Sequence, residues 1–265
     1  MSTAAYYAQA DEVWQVYLVI FSSFLRLYKG NSQCCLIHLL GESKVAVAIH
    51  VERDRETRKI LLDLVKSIQE RDIVTYEHSR RVATYVQRLA RFLGWSRREA
   101  RDLAFAALVH DLGKTWIAND ILNKPASLSV EERRLMERHP VIGARILIGC
   151  DVHPFYVEAV LHHHEAWNGS GYPAGLLREE IPLSARLLTV ADVYDVLTSE
   201  RPYKAPYSQA EARERIREGS GTSFDPKVAQ AFLHLLDLSP NFTLPQRVDA
   251  LADVPVNHIA LLADW

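Results

Sequence analysis

From Glu56 onward, apolar residues recur at three- and four-residue intervals, the spacing of helices that each bury one face. The start and stop signals sharpen this. Ser96 with Glu99 forms a capping box, and Ala100, Leu103, Ala104, Ala107 and Leu108 follow on one face, with Gly113 as the expected stop. Ser129 with Glu132 and Ser208 with Glu211 predict two further starts, Pro154 opens another helix, and Asp225-Pro226 sets a capping carboxylate before a first-turn proline. Leu183 to Ser199 predicts a helix in which Leu188, Ala191, Asp192 and Asp195 share a face. Before Arg55 the pattern changes. Cys35 to Leu40 and Lys44 to Val51, joined by Gly41-Glu42-Ser43, predict a hairpin, and Asp11 to Tyr28 is read as a helix rather than a strand. The expected fold class is mainly α: an all-helical domain at 56–240 with a small α/β or mixed appendage at 1–55 and a tail at 241–265.

Composition narrows the partners. A chain of 265 residues that is 48% hydrophobic can bury a full core, which argues against disorder. Its formal charge of -2 supplies no field for long nucleic acid, while a small phosphate ligand needs only a few local cations. The cluster Arg80, Arg81, Arg88, Arg91, Arg97, Arg98 and Arg101 reads as solvated helix faces. Cys34, Cys35 and Cys150 have no metal-site spacing and read as reduced thiols of a cytoplasmic protein. The apolar run Val13 to Leu25 falls short of the roughly 20 residues that span a bilayer, and no signal-peptide cleavage pattern follows it. Val13 to Val51 is nonetheless too apolar for a tail, so it is expected to pack on the helical domain, a second subunit or a regulatory partner.

Candidate chemistry is concentrated in a few places. His110-Asp111 sits on the last turn of a predicted buried helix, with the Lys114 cation close by. Taken alone, such a dipeptide is more often capping or core than a ligand. Three consecutive histidines, His162 to His164, point about 100° apart on a helix, so two at most can face one cavity. The glycine-rich stretch Asn168 to Gly175 allows backbone amides to approach a ligand closely. Asp192 and Asp195 are carboxylates on a mostly apolar face and need a metal or an ionic partner; a salt bridge is the plainer account of Asp195. Arg201 and Lys204 lie in a proline-stiffened loop, where they are either solvated or a phosphate clamp.

Taken in order, His78-Ser79-x-x-Val82, His110-Asp111-x-Gly113-Lys114, His139, His163-His164-Glu165, Gly171-Tyr172-Pro173, Ala191-Asp192-x-x-Asp195 and Arg201-Pro202-Tyr203-Lys204 closely resemble the HD-GYP family of cyclic di-GMP phosphodiesterases. The resemblance covers about residues 56 to 240. It implies an all-helical HD-type fold in which His78, His110, Asp111 and Asp192 hold one metal while Asp111, His139, His163 and His164 hold a second, Asp111 bridging. It also implies that Lys114 reaches the scissile phosphate, that Arg201 and Lys204 hold phosphate oxygens, and that Gly171 and Tyr172 shape the nucleotide pocket. The implied cofactors are two divalent ions, iron or manganese ahead of zinc, nickel or magnesium. About 3.5–4 Å apart, they would activate a bridging water to open cyclic di-GMP to the linear dinucleotide, with GMP as a possible second product.

Two departures from the family stand out. Val74 occupies the position, four residues before the first histidine, where members with a third metal carry glutamate, which argues for two metals. Asn168 stands where the family usually has aspartate, keeping hydrogen-bonding capacity without the charge. His162 is left over and is expected at the surface. The rival readings are a weakly catalytic cyclic di-GMP receptor, a hydrolase of a related messenger such as cyclic GMP-AMP, and a phosphohydrolase of monomeric nucleotides. The Gly-Tyr-Pro loop argues against the last of these.

Overall fold

The computed structural model describes residues 43–200 and 205–238, with side chains from Glu56 onward. Helices follow one another along this stretch: α1 (Ser43–Arg71), α2 (Ile73–Phe92), α3 (Arg97–Val109), α4 (Asn119–Leu122), α5 (Val130–Met136), α6 (His139–Gly149), α7 (Pro154–His162), α8 (Leu183–Thr198), α9 (Gln209–Glu218) and α10 (Pro226–Leu238). Among the described residues the only β pairings are isolated bridges, Asn168 with Leu177 and Ser220 with Phe224. The mainly α expectation therefore holds.

The hairpin does not. Lys44–Val51, read as its second strand, lies within α1, which runs unbroken to Arg71. No glycine or proline occurs between Glu42 and Leu93, and alanines alternate with the β-branched residues, so nothing interrupts propagation from the strongly helical stretch that follows. The expected first strand, the Asp11 to Tyr28 helix and the paired cysteines lie outside the described residues.

Local chemistry explains most boundaries. Ser96, Ser129 and Ser208 each close a capping box with the glutamate three residues on. Asp225 divides its carboxylate between two tasks. One oxygen accepts from Lys227 N at 2.9 Å at the start of α10 and the other from Arg186 on α8 at 2.7 Å, so the cap also ties α10 to α8. The core is continuous. α2 packs on α3 and α8, α3 on α7, and α7 on α6 and α8, burying Leu89, Leu103, Leu108, Leu147, Leu161 and Leu188 completely or nearly so.

Gly113 serves differently from the helix stop expected of it. α3 ends at Val109 and the chain tightens into a 3-10 turn, Leu112–Trp116, without a left-handed glycine. What this position requires is a bare backbone. A Cβ there would lie 1.9 Å from the His139 carbonyl oxygen and 2.8 Å from Gly143 N, because α6 crosses the turn at that point.

Candidate metal centre

The end of α3, the start of α6 and the end of α7 meet at this crossing, and each delivers a histidine in the same way. His110 Nδ1 lies 2.7 Å from Ala107 O, His139 Nδ1 2.8 Å from Met136 O, and His163 Nδ1 2.7 Å from Val160 O. A carbonyl only accepts, so each Nδ1 carries a proton, which leaves Nε2 as the atom that can bind a metal. Those three Nε2 atoms converge on Asp111. His110 Nε2 is 3.4 Å from Asp111 Oδ2, and His139 Nε2 is 3.3 Å from Oδ1. From the opposite side α2 brings His78 Nε2 to 3.0 Å from Asp192 Oδ1 and 3.9 Å from Asp111 Oδ2.

The carboxylate of Asp111 thus divides the site. Oδ2 faces His78 and His110, with Asp192 beyond, while Oδ1 faces His139. His139 and His163 bring their Nε2 atoms to 3.2 Å, and His164 completes that group, its ring centroid 5.0 Å from that of His139. Ligand atoms of His139, His163 and His164 lie within 4.8 Å of one another, as do those of His78, His110 and Asp192, and those of His110, Asp111 and His163.

The donor set fits divalent cations. With both Nδ1 atoms committed to carbonyls, the Nε2 atoms of His139 and His163 face each other at 3.2 Å, a contact that needs either a proton or a cation between them. Asp111 Oδ1 is buried and has no hydrogen bond. Burial pushes the His110 and His163 pKa values down, and burial together with His139 brings that of His164 to about 3. Burial opposes ionisation of Asp111, yet His110, Lys114 and His139 hold its pKa well below the ordinary carboxylate range, and His78 does the same for Asp192. Neutral imidazoles and ionised carboxylates are the protonation states that metal binding requires. His78 is the exception. Burial disfavours its charge, but hydrogen bonds to Asp192 and Asp195 carry its pKa up to about 9, so it holds a proton where a cation would displace it.

Lys114 Nζ lies 2.6 Å from Asp111 Oδ2, with about a quarter of its side chain exposed. Tyr172 stacks on His164, ring centroids 4.8 Å apart and planes 27° from parallel, which places the Gly-Tyr-Pro loop as a wall of the site. Glu165, quoted in the motif without a role, builds that wall. Its buried carboxylate accepts from Ala174 N at 2.7 Å and Leu176 N at 3.1 Å, folding the loop back over the helix end. Gly171 lies so close beneath that a Cβ would sit 2.2 Å from Ala166 N. Asn168 Oδ1 accepts from Ser170 N at 3.0 Å and Ser170 Oγ at 2.7 Å, a local turn for which an uncharged side chain suffices.

Glu165→Gln removes one acceptor from this pair while changing little else. The expected cost is about 1–3 kcal/mol, the penalty of leaving a buried donor unmet. Thermal melts should show a loss of several degrees, and substrate KM should rise. Unchanged melting and KM would show that the carboxylate does not hold the loop.

Two expectations are corrected. His162, expected at the surface, is 1% exposed, because α7 is enclosed on nearly every side; its Nδ1 lies 3.6 Å from Glu165 Oε1. Arg81 is not a solvated cation of the basic cluster: its guanidinium bonds Asp195 through Nε at 2.7 Å and Nη2 at 2.9 Å. Asp195 has the predicted salt bridge, and in addition its Oδ2 accepts from His78 Nδ1 at 2.7 Å. Val74 is 71% exposed and offers no ligand atom. Arg201 and Lys204 lie outside the described residues.

A family model described as "HD domain" matches residues 64–228. The chain belongs to the HD domain family, in its HD-GYP branch. This HD-GYP chain is 44% identical over 181 residues to a cyclic di-GMP phosphodiesterase of Pseudomonas aeruginosa, covering 68% of its own length and 43% of that protein. To one of Thermotoga maritima it is 40% identical over 178 residues, covering 66% and 48%. The crystal structure of a cyclic GMP-AMP specific phosphodiesterase of Vibrio cholerae superposes with a TM-score of 0.52 at 26% identity, covering 68% of this chain and 51% of that one. The HD-GYP chain therefore spans less than half the length of the two curated relatives. No helix of its described residues is long and apolar enough to cross a membrane.

Proposed function

We propose that this HD-GYP domain hydrolyses a cyclic dinucleotide, cyclic di-GMP foremost, to the linear pGpG, with GMP as a further product. The observation that carries the reading is the division of Asp111, one oxygen toward His78 and His110 and the other toward His139. His78, His110, Asp111 and Asp192 would hold one ion, and Asp111, His139, His163 and His164 the other. Bound divalent ions supply an acidified water and polarise the phosphoryl oxygen, which is what phosphodiester hydrolysis demands. The mixture of imidazole with carboxylate suits iron, manganese, zinc or nickel, with iron and manganese the first to test. Exposed Val74, with no donor atom, favours two ions over three.

The chain's own residues supply the remainder. Lys114 places an ammonium beside the bridging carboxylate, where it stabilises charge developing on the phosphate and its leaving 3′ oxygen. Tyr172, stacked on His164 and with its phenol pKa pushed up by burial, remains a neutral wall and hydrogen-bond donor. Arg201 and Lys204 act as the phosphate clamp. The hydrolytic unit is 56–240, with 1–55 as a regulatory appendage that meets a protein partner or a second copy. We place the activity in the reducing cytoplasm, where the free thiol of Cys150 persists. The V. cholerae neighbour favours cyclic GMP-AMP as the second substrate to test.

Chelated protein should be inert. Reloading with manganese, or anaerobically with iron, should restore two ions per chain and raise turnover of cyclic di-GMP by at least about a hundredfold. Chromatography of the linear product checks this, with cyclic GMP-AMP and mononucleotides run in parallel. Tight binding without product under every metal would replace the hydrolase with a receptor.

A further inference from the structure

The histidines of the centre are not anchored alike. His110, His139 and His163 each donate Nδ1–H to a neutral backbone carbonyl three residues earlier. His78 instead bonds a carboxylate, Asp195 Oδ2, at 2.7 Å across 117 residues of sequence. That carboxylate is itself fixed by two bonds from Arg81 and one from Ser199 Oγ at 3.2 Å, and is 1% exposed. A short bond to an anionic acceptor locks the ring and makes its Nε2 a stronger donor than a carbonyl does.

The two halves of the centre differ in charge as well. The side bounded by His78 and His110 has Asp192 and Asp111 Oδ2, and the Lys114 ammonium on that same oxygen offsets one of those charges. The side bounded by His139, His163 and His164 has three imidazoles and Asp111 Oδ1. With the carboxylates partly balanced, the Asp195 bond to His78 is the clearest remaining asymmetry.

From this geometry we infer that Asp195, held by Arg81, is a positioning residue that makes the His78–His110–Asp192 position the tighter of the two, so that it fills first. The inference rests on the two-metal reading above, and its test separates the two. Manganese titrated into metal-free protein should bind in two resolved steps by calorimetry. Crystals grown with one equivalent should show anomalous signal between His78, His110 and Asp192. Asp195→Asn should weaken that position by about ten- to a hundredfold, the usual effect of removing such a partner, and shift the first equivalent to the three-histidine position. A purely structural role would lower the melting temperature without changing the order of filling. First occupancy among His139, His163 and His164 in the unmodified protein would overturn the inference, whether or not the variant folds. So would an Asp195→Asn protein that fills in the original order, or one weakened equally at both positions. Unmodified protein binding fewer than two ions would instead overturn the two-metal reading.

Discussion

Asp111→Asn is expected to empty both metal positions and to lower hydrolysis by at least about a thousandfold, equivalent to roughly 4 kcal/mol of transition-state stabilisation. The side chain keeps its shape, but one of the two oxygens becomes an amide nitrogen. Whichever way the amide turns, one half of the centre receives an N–H where it had an anionic oxygen. That N–H can bond the bare Nε2 of His139 or His110, which lie 3.3 and 3.4 Å from the two carboxylate oxygens. Metal-free protein should therefore tolerate the change. The fold loses a buried charge and gains a donor opposite a lone pair, and Lys114, a quarter exposed, turns to solvent. Manganese should raise the melting temperature of the unmodified protein, because it binds only the native state, and leave the variant where it was. Melts with and without manganese, beside elemental analysis, check this. A variant that retains two ions would remove Asp111 from the bridging position.

The helices and their caps were legible because each depends on a few neighbouring residues. The boxes at Ser96, Ser129 and Ser208 and the Asp225 cap needed only three- and four-residue spacing. The candidate ligand residues stood out in a different sense. Their order along the chain resembles a family, whereas periodicity alone left His110-Asp111 an ordinary helix end. What stayed hidden depends on tertiary contact. Arg81 resembles any other arginine of its cluster until α8 brings Asp195 to it, 114 residues away. Glu165 is one more acidic residue until the loop returns Ala174 and Leu176 to its oxygens. His162 is buried because α7 packs on α3, α6 and α8, none of which its own helical pattern reveals. The hairpin failed for the opposite reason. β-branched alternation is a weak preference, overridden where a long helix propagates through it without a breaker.

Gly113→Ala tests whether close backbone approach, rather than the ligands alone, sets the geometry of the centre. The added methyl would lie 1.9 Å from the His139 carbonyl oxygen and 2.8 Å from Gly143 N, both backbone atoms that no rotamer change can move. Relief requires α6 to move away from the 3-10 turn, and His139 is the first residue of α6. The separation between His139 Nε2 and Asp111 Oδ1 must then open, so the strain falls on the proposed metal position of His139, His163 and His164. Overpacking of this kind against rigid backbone costs about 3 kcal/mol or somewhat more, a loss near 10 °C in melting temperature for a domain of this size. Bound metal should fall from two ions toward one, with the His78 side retained. Gly149→Ala is the matched control. It adds the same methyl at the end of the same helix with nothing within 4 Å, so it should be neutral or stabilising by up to about 1 kcal/mol. If Gly113→Ala melted with its control and kept both ions, the crossing of α6 over the turn would be looser than these distances require. Close approach would then not be what holds His139 against Asp111.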